Sequence, residues 1–113
     1  MNKICTSIDQ SERLLELGLP INTADMFYRN NGKDIKLMWE HLPEIKVTSP
    51  AWSLTALLEL INSDYKLEKF MLDQSFEFTY AIHIDGVHYT REHNNPLDAA
   101  YEMIIYLLEN KLI

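Results

Sequence analysis

The last third of the chain, FEFTYAIHIDGVHYTREHNNPLDAAYEMIIYLLENKLI, changes its hydrophobic period once. Phe76, Phe78, Tyr80, Ile82 and Ile84 alternate with Glu77, Thr79, Ala81, His83 and Asp85, the period of two that marks a strand with one dry face. Asp85-Gly86 reads as a two-residue type I′ loop leading into a second strand. That loop sets a register. Ile84 would face Val87, Ile82 would face Tyr89 and Tyr80 would face Arg91; on the other face His83 would meet His88, Ala81 Thr90 and Thr79 Glu92. The period then becomes helical. Asn95 is the expected N-cap, with Pro96 at N1 and Asp98 at N3. Leu97, Ala100, Tyr101, Ile104, Ile105, Leu108 and Leu112 form a core side. Ala99, Met103, Tyr106 and Leu107 are apolar too, which leaves Asp98, Glu102 and Glu109 as a thin polar stripe. A helix of this kind is covered on more than one side, by the other helices or by a second copy, so the pattern favours self-association.

Two further helices are expected upstream. Ser7 with Gln10 makes a capping box, Asp9 suits the first turn, and Ile8, Leu14, Leu15 and Leu17 supply the apolar side. Gly18 at C′ and Pro20 beyond it end that helix. For the second helix Ser49 is the expected N-cap and Pro50 N1. Leu54, Leu57, Leu58 and Ile61 recur at i, i+3, i+4, i+7, with Trp52, Ala56 and Leu60 widening the stripe. Between these helices two readings stay open. Asp25–Arg29 and Ile35–Glu40 flank Asn30-Asn31-Gly32 as a hairpin would, whereas Ala24–Asn30 also fits a helix. Tyr65–Leu72 is either a strand or a short connecting helix. The expected fold is a single α+β domain over residues 1–113, two-layered, with a mainly antiparallel sheet and about three helices packed on one face.

Composition narrows the functional classes. With 47% hydrophobic residues, three glycines and four prolines, the chain has material for a core and little for long linkers. No apolar run reaches the ~20 residues of a membrane-spanning helix, and the start MNKICTSIDQ shows no secretion-signal pattern. One cysteine, Cys5, excludes an internal disulfide and a multi-cysteine zinc site, and fits a small buried hydrophobe. A cytoplasmic protein is expected. The net charge of −7, from 17 acidic and 10 basic residues, disfavours direct nucleic-acid binding, which needs a cationic face. An acidic mimic of DNA is a weaker alternative.

No catalytic motif stands out. Neither a nucleophile elbow nor a glycine-rich phosphate loop is present, and Asp98 and Glu102, one helical turn apart, fit a solvated stripe. Two constellations are candidates. His83 and His88, opposed across the hairpin with Glu92 further along the same face, could hold a metal. Arg91, His93 and Asn94 gather at the start of the last helix, where backbone N–H groups favour an anionic ligand. Solvated polar side chains and ordinary surface pairs are the competing reading of both, and no cofactor is expected.

Three blocks, ICTSIDQSERLLELGLPINTADM, PAWSLTALLEL and NNPLDAAYEMIIYLLENKLI, together resemble a family of small bacterial proteins from gut anaerobes and their mobile elements, with a variable middle. That family has no established activity, so the resemblance implies no site residues. It implies a bacterial cytoplasm and a phage or conjugative origin. The expected function is a non-enzymatic protein-interaction or accessory module, binding another protein or a second copy. A small-molecule or metal-binding protein using the His83/His88 face is the alternative. Aromatic residues, 11% of the chain and including Tyr28, Trp39 and Trp52 in its loop-rich part, suit either a core or a binding surface.

Overall fold

A computed structural model describes residues 4–29, 32–38, 49–61, 65–71, 78–84, 88–89 and 93–113. The fold is α+β. Helix α1 (Ile8–Glu16) leads through a short 3₁₀ turn (Ile21–Thr23) to strands β1 (Met26–Arg29) and β2 (Asp34–Leu37). Strand β3 (Pro50–Ala51) and helix α2 (Leu54–Glu59) follow, then β4 (Lys66–Met71), β5 (Phe78–Ile84), β6 (His88–Tyr89) and helix α3 (Pro96–Glu109). Among the described residues the pairings are antiparallel and form two three-stranded sheets, in the orders β2-β1-β3 and β4-β5-β6. α3 packs on β5 of the second sheet and on α2, whereas α1 meets β3 of the first.

α1 is bounded as its sequence dictates. The Ser7 side chain accepts from Gln10 N–H while the Gln10 side chain accepts from Ser7 N–H, a complete capping box. At the other end Gly18 has φ +96°. Gly18 N–H donates to Leu15 and Leu19 N–H to Leu14, the Schellman pair. Leu14 and Leu19, joined by that bond, are both buried, so the stop also fixes a core contact. The buried side of α1 is Ser11 and Leu14, while Ile8 is exposed.

The hairpin reading of residues 25–40 holds over β1 and β2, paired from Met26↔Leu37 to Arg29↔Asp34. Tyr65–Leu72 resolves as strand β4, the neighbour of β5.

The second helix begins four residues later than its sequence suggests. Pro50 is not N1; it lies in β3 opposite Phe27, on a sheet edge where a missing N–H costs nothing. Ser53 is the N-cap and accepts from Ala56 N–H. Asp25 decides between the two serines: its carboxylate accepts from both the Ser53 N–H and the Ser53 hydroxyl. Trp52, ahead of the helix, is fully buried and donates its indole N–H to the Thr23 hydroxyl at 2.9 Å.

α3 starts as expected: Asn95 accepts from Asp98 N–H and donates its amide to the Asp98 carboxylate. Its buried residues are Leu97, Ala99, Ala100, Met103, Ile104 and Leu107. Tyr101, Ile105 and Leu108, expected in the core, are only partly buried, and Leu112 is exposed. One cluster of buried residues runs from Leu14 through Trp52, Leu57 and Ile82 to Leu107.

Two substitutions test this assignment by urea unfolding. Ser53→Ala should destabilise by roughly 1–2 kcal/mol through the lost cap and the stranded Asp25 carboxylate, while Ser49→Ala should stay within about 0.5 kcal/mol. The opposite ranking would restore Ser49 as the cap. Gly18→Ala should cost about 1 kcal/mol, from backbone strain alone, because an added Cβ meets nothing within 4 Å.

Candidate functional site

α3 presents a face that neither β5 nor α2 fills. Asp98, Tyr101, Glu102, Ile105 and Glu109 recur at helical spacing along it. α1 lies across that face and is tied to it at two places. The Gln10 amide donates to the Asp98 carboxylate at 2.9 Å, and the Arg13 guanidinium lies 3.6 Å from the Glu109 carboxylate. These ties are about 16 Å apart along the helix, at 1.5 Å per residue. Between them opens a cleft of about 360 Å³, lined by Gln10, Arg13, His93, Asp98, Tyr101, Glu102 and Ile105. Its size falls in the range of small-molecule sites.

His93 enters from the strand side. Its backbone makes a two-way bridge with Tyr80, at 2.6 and 2.9 Å, which fastens the residue before α3 to β5. Its ring Nε2 lies 2.5 Å from Glu102 Oε2, both side chains being about one-third exposed. Glu102 therefore sets the imidazole's orientation, as a carboxylate does for a proton-handling histidine. Among the described residues no serine, threonine or cysteine lines the cleft.

Tyr101 is the electrostatic hub of the cleft. Burial pushes its hydroxyl above the ordinary tyrosine range, and the Asp98, Glu109 and Glu16 carboxylates push it further, against the opposing pull of Arg13. Arg13 is shared between Glu109 and Glu16, each at 3.6 Å and solvent-exposed. Such exposed pairs hold their charges loosely.

The two candidate constellations fare differently. β5 pairs with β6 through His83↔Tyr89 and Ile84↔His88, so His83 does not face His88. Three residues rather than two separate the paired ends, and a one-residue change of register moves every later position to the opposite face. The expected His83–His88 pairing is therefore not formed. Glu92 lies outside the described residues, where no cluster of three metal-ligating side chains occurs. Tyr80 faces His93 rather than Arg91. In the anion constellation, Arg91 lies outside the described residues, and Asn94 is exposed and accepts from the Asn95 amide. His93 lines the cleft. The residues that sequence reading missed are Gln10, Arg13, Tyr101 and Ile105, with Asp98 and Glu102 set down as a solvated stripe. The available signal was that stripe itself: three acids on one face of an otherwise apolar helix, matching Gln10 and Arg13 at i, i+3 on α1.

Fold and site together define a small α+β domain with a ligand-sized cleft between two helices. Comparison of the chain with protein-family models, with curated proteins and with solved structures gives no match. No helix among the described residues is long and apolar enough to cross a membrane.

An alkaline titration reports on the tyrosines. Burial raises Tyr28 as well as Tyr101, with a further rise at Tyr28 from the Cys5 thiol beside its hydroxyl. The unfolded chain releases these protons first, near pH 10, so stability is intact below about pH 10 and falls as pH rises beyond it. Absorbance of tyrosinate should show late proton releases above the ordinary tyrosine range, and Tyr28→Phe should remove one of them. A Tyr28→Phe variant that loses no late step would refute the assignment.

Proposed function

We propose that the chain is a non-enzymatic binding module whose ligand seat is the α1–α3 cleft. The observation that supports this reading is the cleft's make-up: an apolar floor from Tyr101 and Ile105 under a polar rim drawn from two helices and the His93 bridge. A few fixed polar groups over an apolar base is how small-molecule sites combine affinity with orientation. The module acts in a bacterial cytoplasm, as an accessory to another protein. The resemblance to proteins of gut anaerobes and mobile elements supports that setting, as does a single, buried cysteine.

A second reading is a protein-protein contact at β2. Ile35 and Leu37 are 36% and 40% exposed on alternate positions of an edge strand, an arrangement that can pair with a strand of a partner or of a second copy.

Both are tested by amide chemical-shift mapping. A library of small polar fragments should shift Gln10, Arg13, Tyr101, Glu102 and Ile105 together, and Ile105→Trp, which fills the floor, should abolish the response. Fragments that leave those amides unmoved would remove the first reading. For the second, the wild-type mass by light scattering should exceed that of an Ile35→Lys, Leu37→Lys variant; equal monomer masses would count against self-pairing.

A further inference from the structure

Strand β2 exposes its side chains in the reverse of the order that water favours. Asp34 and Lys36 are half-buried, whereas Ile35 and Leu37, on the other face, are exposed. A solvated edge strand keeps polar residues outward and hides apolar ones. The backbone is arranged to match. In an antiparallel pair, residues that bond the neighbouring strand alternate with residues whose N–H and C=O point away from it. Met38 N–H donates to Asp25 O at 2.8 Å, in the register that sets Leu37 opposite Met26. Lys36 and Asp34, further back at alternate positions, therefore turn their backbone groups toward β1, and Ile35 and Leu37 turn theirs outward. β1 agrees: Tyr28, opposite Ile35, donates its N–H away from β2, to Ser49 O at 2.9 Å. Among the described residues β2 has a strand on one side only. Its open edge thus presents the outward backbone groups and the exposed side chains of the same two residues.

The charges along this edge fit a second copy of it. Two registers overlap most of the strand when one β2 docks antiparallel on another with like faces together and outward backbone groups opposed. In one, the two-fold axis passes through Lys36, and the two Lys36 ammonium groups lie directly opposite, a destabilising pair. In the other the axis passes through Ile35. Ile35 then lies opposite Ile35 of the second copy and exchanges both backbone bonds with it. Asp34 of each copy lies opposite Lys36 of the other, two pairs of opposite charge. Arg29 stays opposite Asp34 on β1, so the carboxylate keeps a cation on each side. Leu37 falls beside Lys33, an exposed residue whose alkyl stem can cover it. Asp34-Ile35-Lys36 is its own electrostatic complement about Ile35, and self-complementarity is what a two-fold contact requires.

We propose that β2 pairs with β2 of a second copy of this chain, antiparallel and centred on Ile35, joining their β2-β1-β3 sheets edge to edge. This rests on β2 being a protein contact and is independent of the cleft.

The test is sedimentation equilibrium of the full chain over a dilution series, with charge exchanges at the two-fold pairs. The wild type should show a monomer–dimer equilibrium. Asp34→Lys and Lys36→Asp should each raise its dissociation constant roughly tenfold, since two attractive pairs become two repulsive ones. An equimolar mixture of the two variants should recover the wild-type value, because every cross-strand pair of the mixed dimer is again of opposite charge. A mixture no tighter than its components overturns the proposal. In the register centred on Lys36 the Asp34→Lys exchange alone would change little, so that result overturns it too. A dimer indifferent to both exchanges but lost in Ile35→Lys, Leu37→Lys overturns the Ile35 register and keeps β2 as a protein contact. A dimer that survives all of these variants lies elsewhere on the molecule and overturns both. A wild type that is monomeric at every concentration overturns the self-pairing outright. Amide spectra of each variant alone establish that it is folded.

Discussion

Thr6 is the hinge pin of this structure. It is fully buried, and every polar atom it carries has a partner. Its N–H donates to Trp52 O at 2.9 Å, its hydroxyl oxygen accepts from Trp52 N–H at 3.0 Å, and its carbonyl accepts from the Tyr28 hydroxyl at 2.7 Å. The hydroxyl also pairs with Ser11 at 2.8 Å, whose own hydroxyl bonds the Ser7 carbonyl. Buried polar groups are costly when unpaired and worth about 1 kcal/mol each when paired. A fully satisfied cluster of this kind therefore specifies one arrangement of three segments that are far apart in sequence.

What Thr6 fixes is the origin of α1. Ser7, its neighbour, is the N-cap, so the helix axis starts from a point clamped to Trp52. Trp52 is in turn held by Thr23 and followed by Ser53, which Asp25 ties down. α2 thus leaves from the same knot, and α3 packs against α2 and β5. The position of α1 relative to α3 follows from this chain of contacts and not from a large apolar seam between the two helices. Polar contacts tie the two helices: Gln10 to Asp98, and Arg13 to Glu109.

Local chemistry was the legible part of this sequence. The capping box at Ser7, the glycine stop at Gly18 and the Asn95 cap depend on neighbours within a few residues, and each stands where the sequence puts it. Ser49 was misread because Ser49-Pro50 and Ser53 both suit a helix start. The choice is made by Asp25, which lies far upstream. The β5–β6 register failed for a related reason. Asp85-Gly86 fits a two-residue loop, yet the pairing formed is offset by one residue at Ile84↔His88 and His83↔Tyr89 and by two at the Tyr80–His93 bridge ahead of α3. The site was half legible. Its acids were visible as a stripe and His93 as a polar residue near a helix start, but the stripe's partner on α1 is fixed only by tertiary placement.

That placement explains why a cleft persists between α1 and α3. Had leucines met along this seam, burial of apolar area would have drawn the helices together. Charged side chains resist that closure, because a carboxylate or guanidinium taken out of water loses more hydration than a single exposed partner returns. The rim instead keeps Asp98, Glu102, Glu109 and Arg13 partly solvated, and the helices are braced apart at two points while Tyr101 and Ile105 form a floor that water contacts. The same balance of charge against apolar area holds the helices apart.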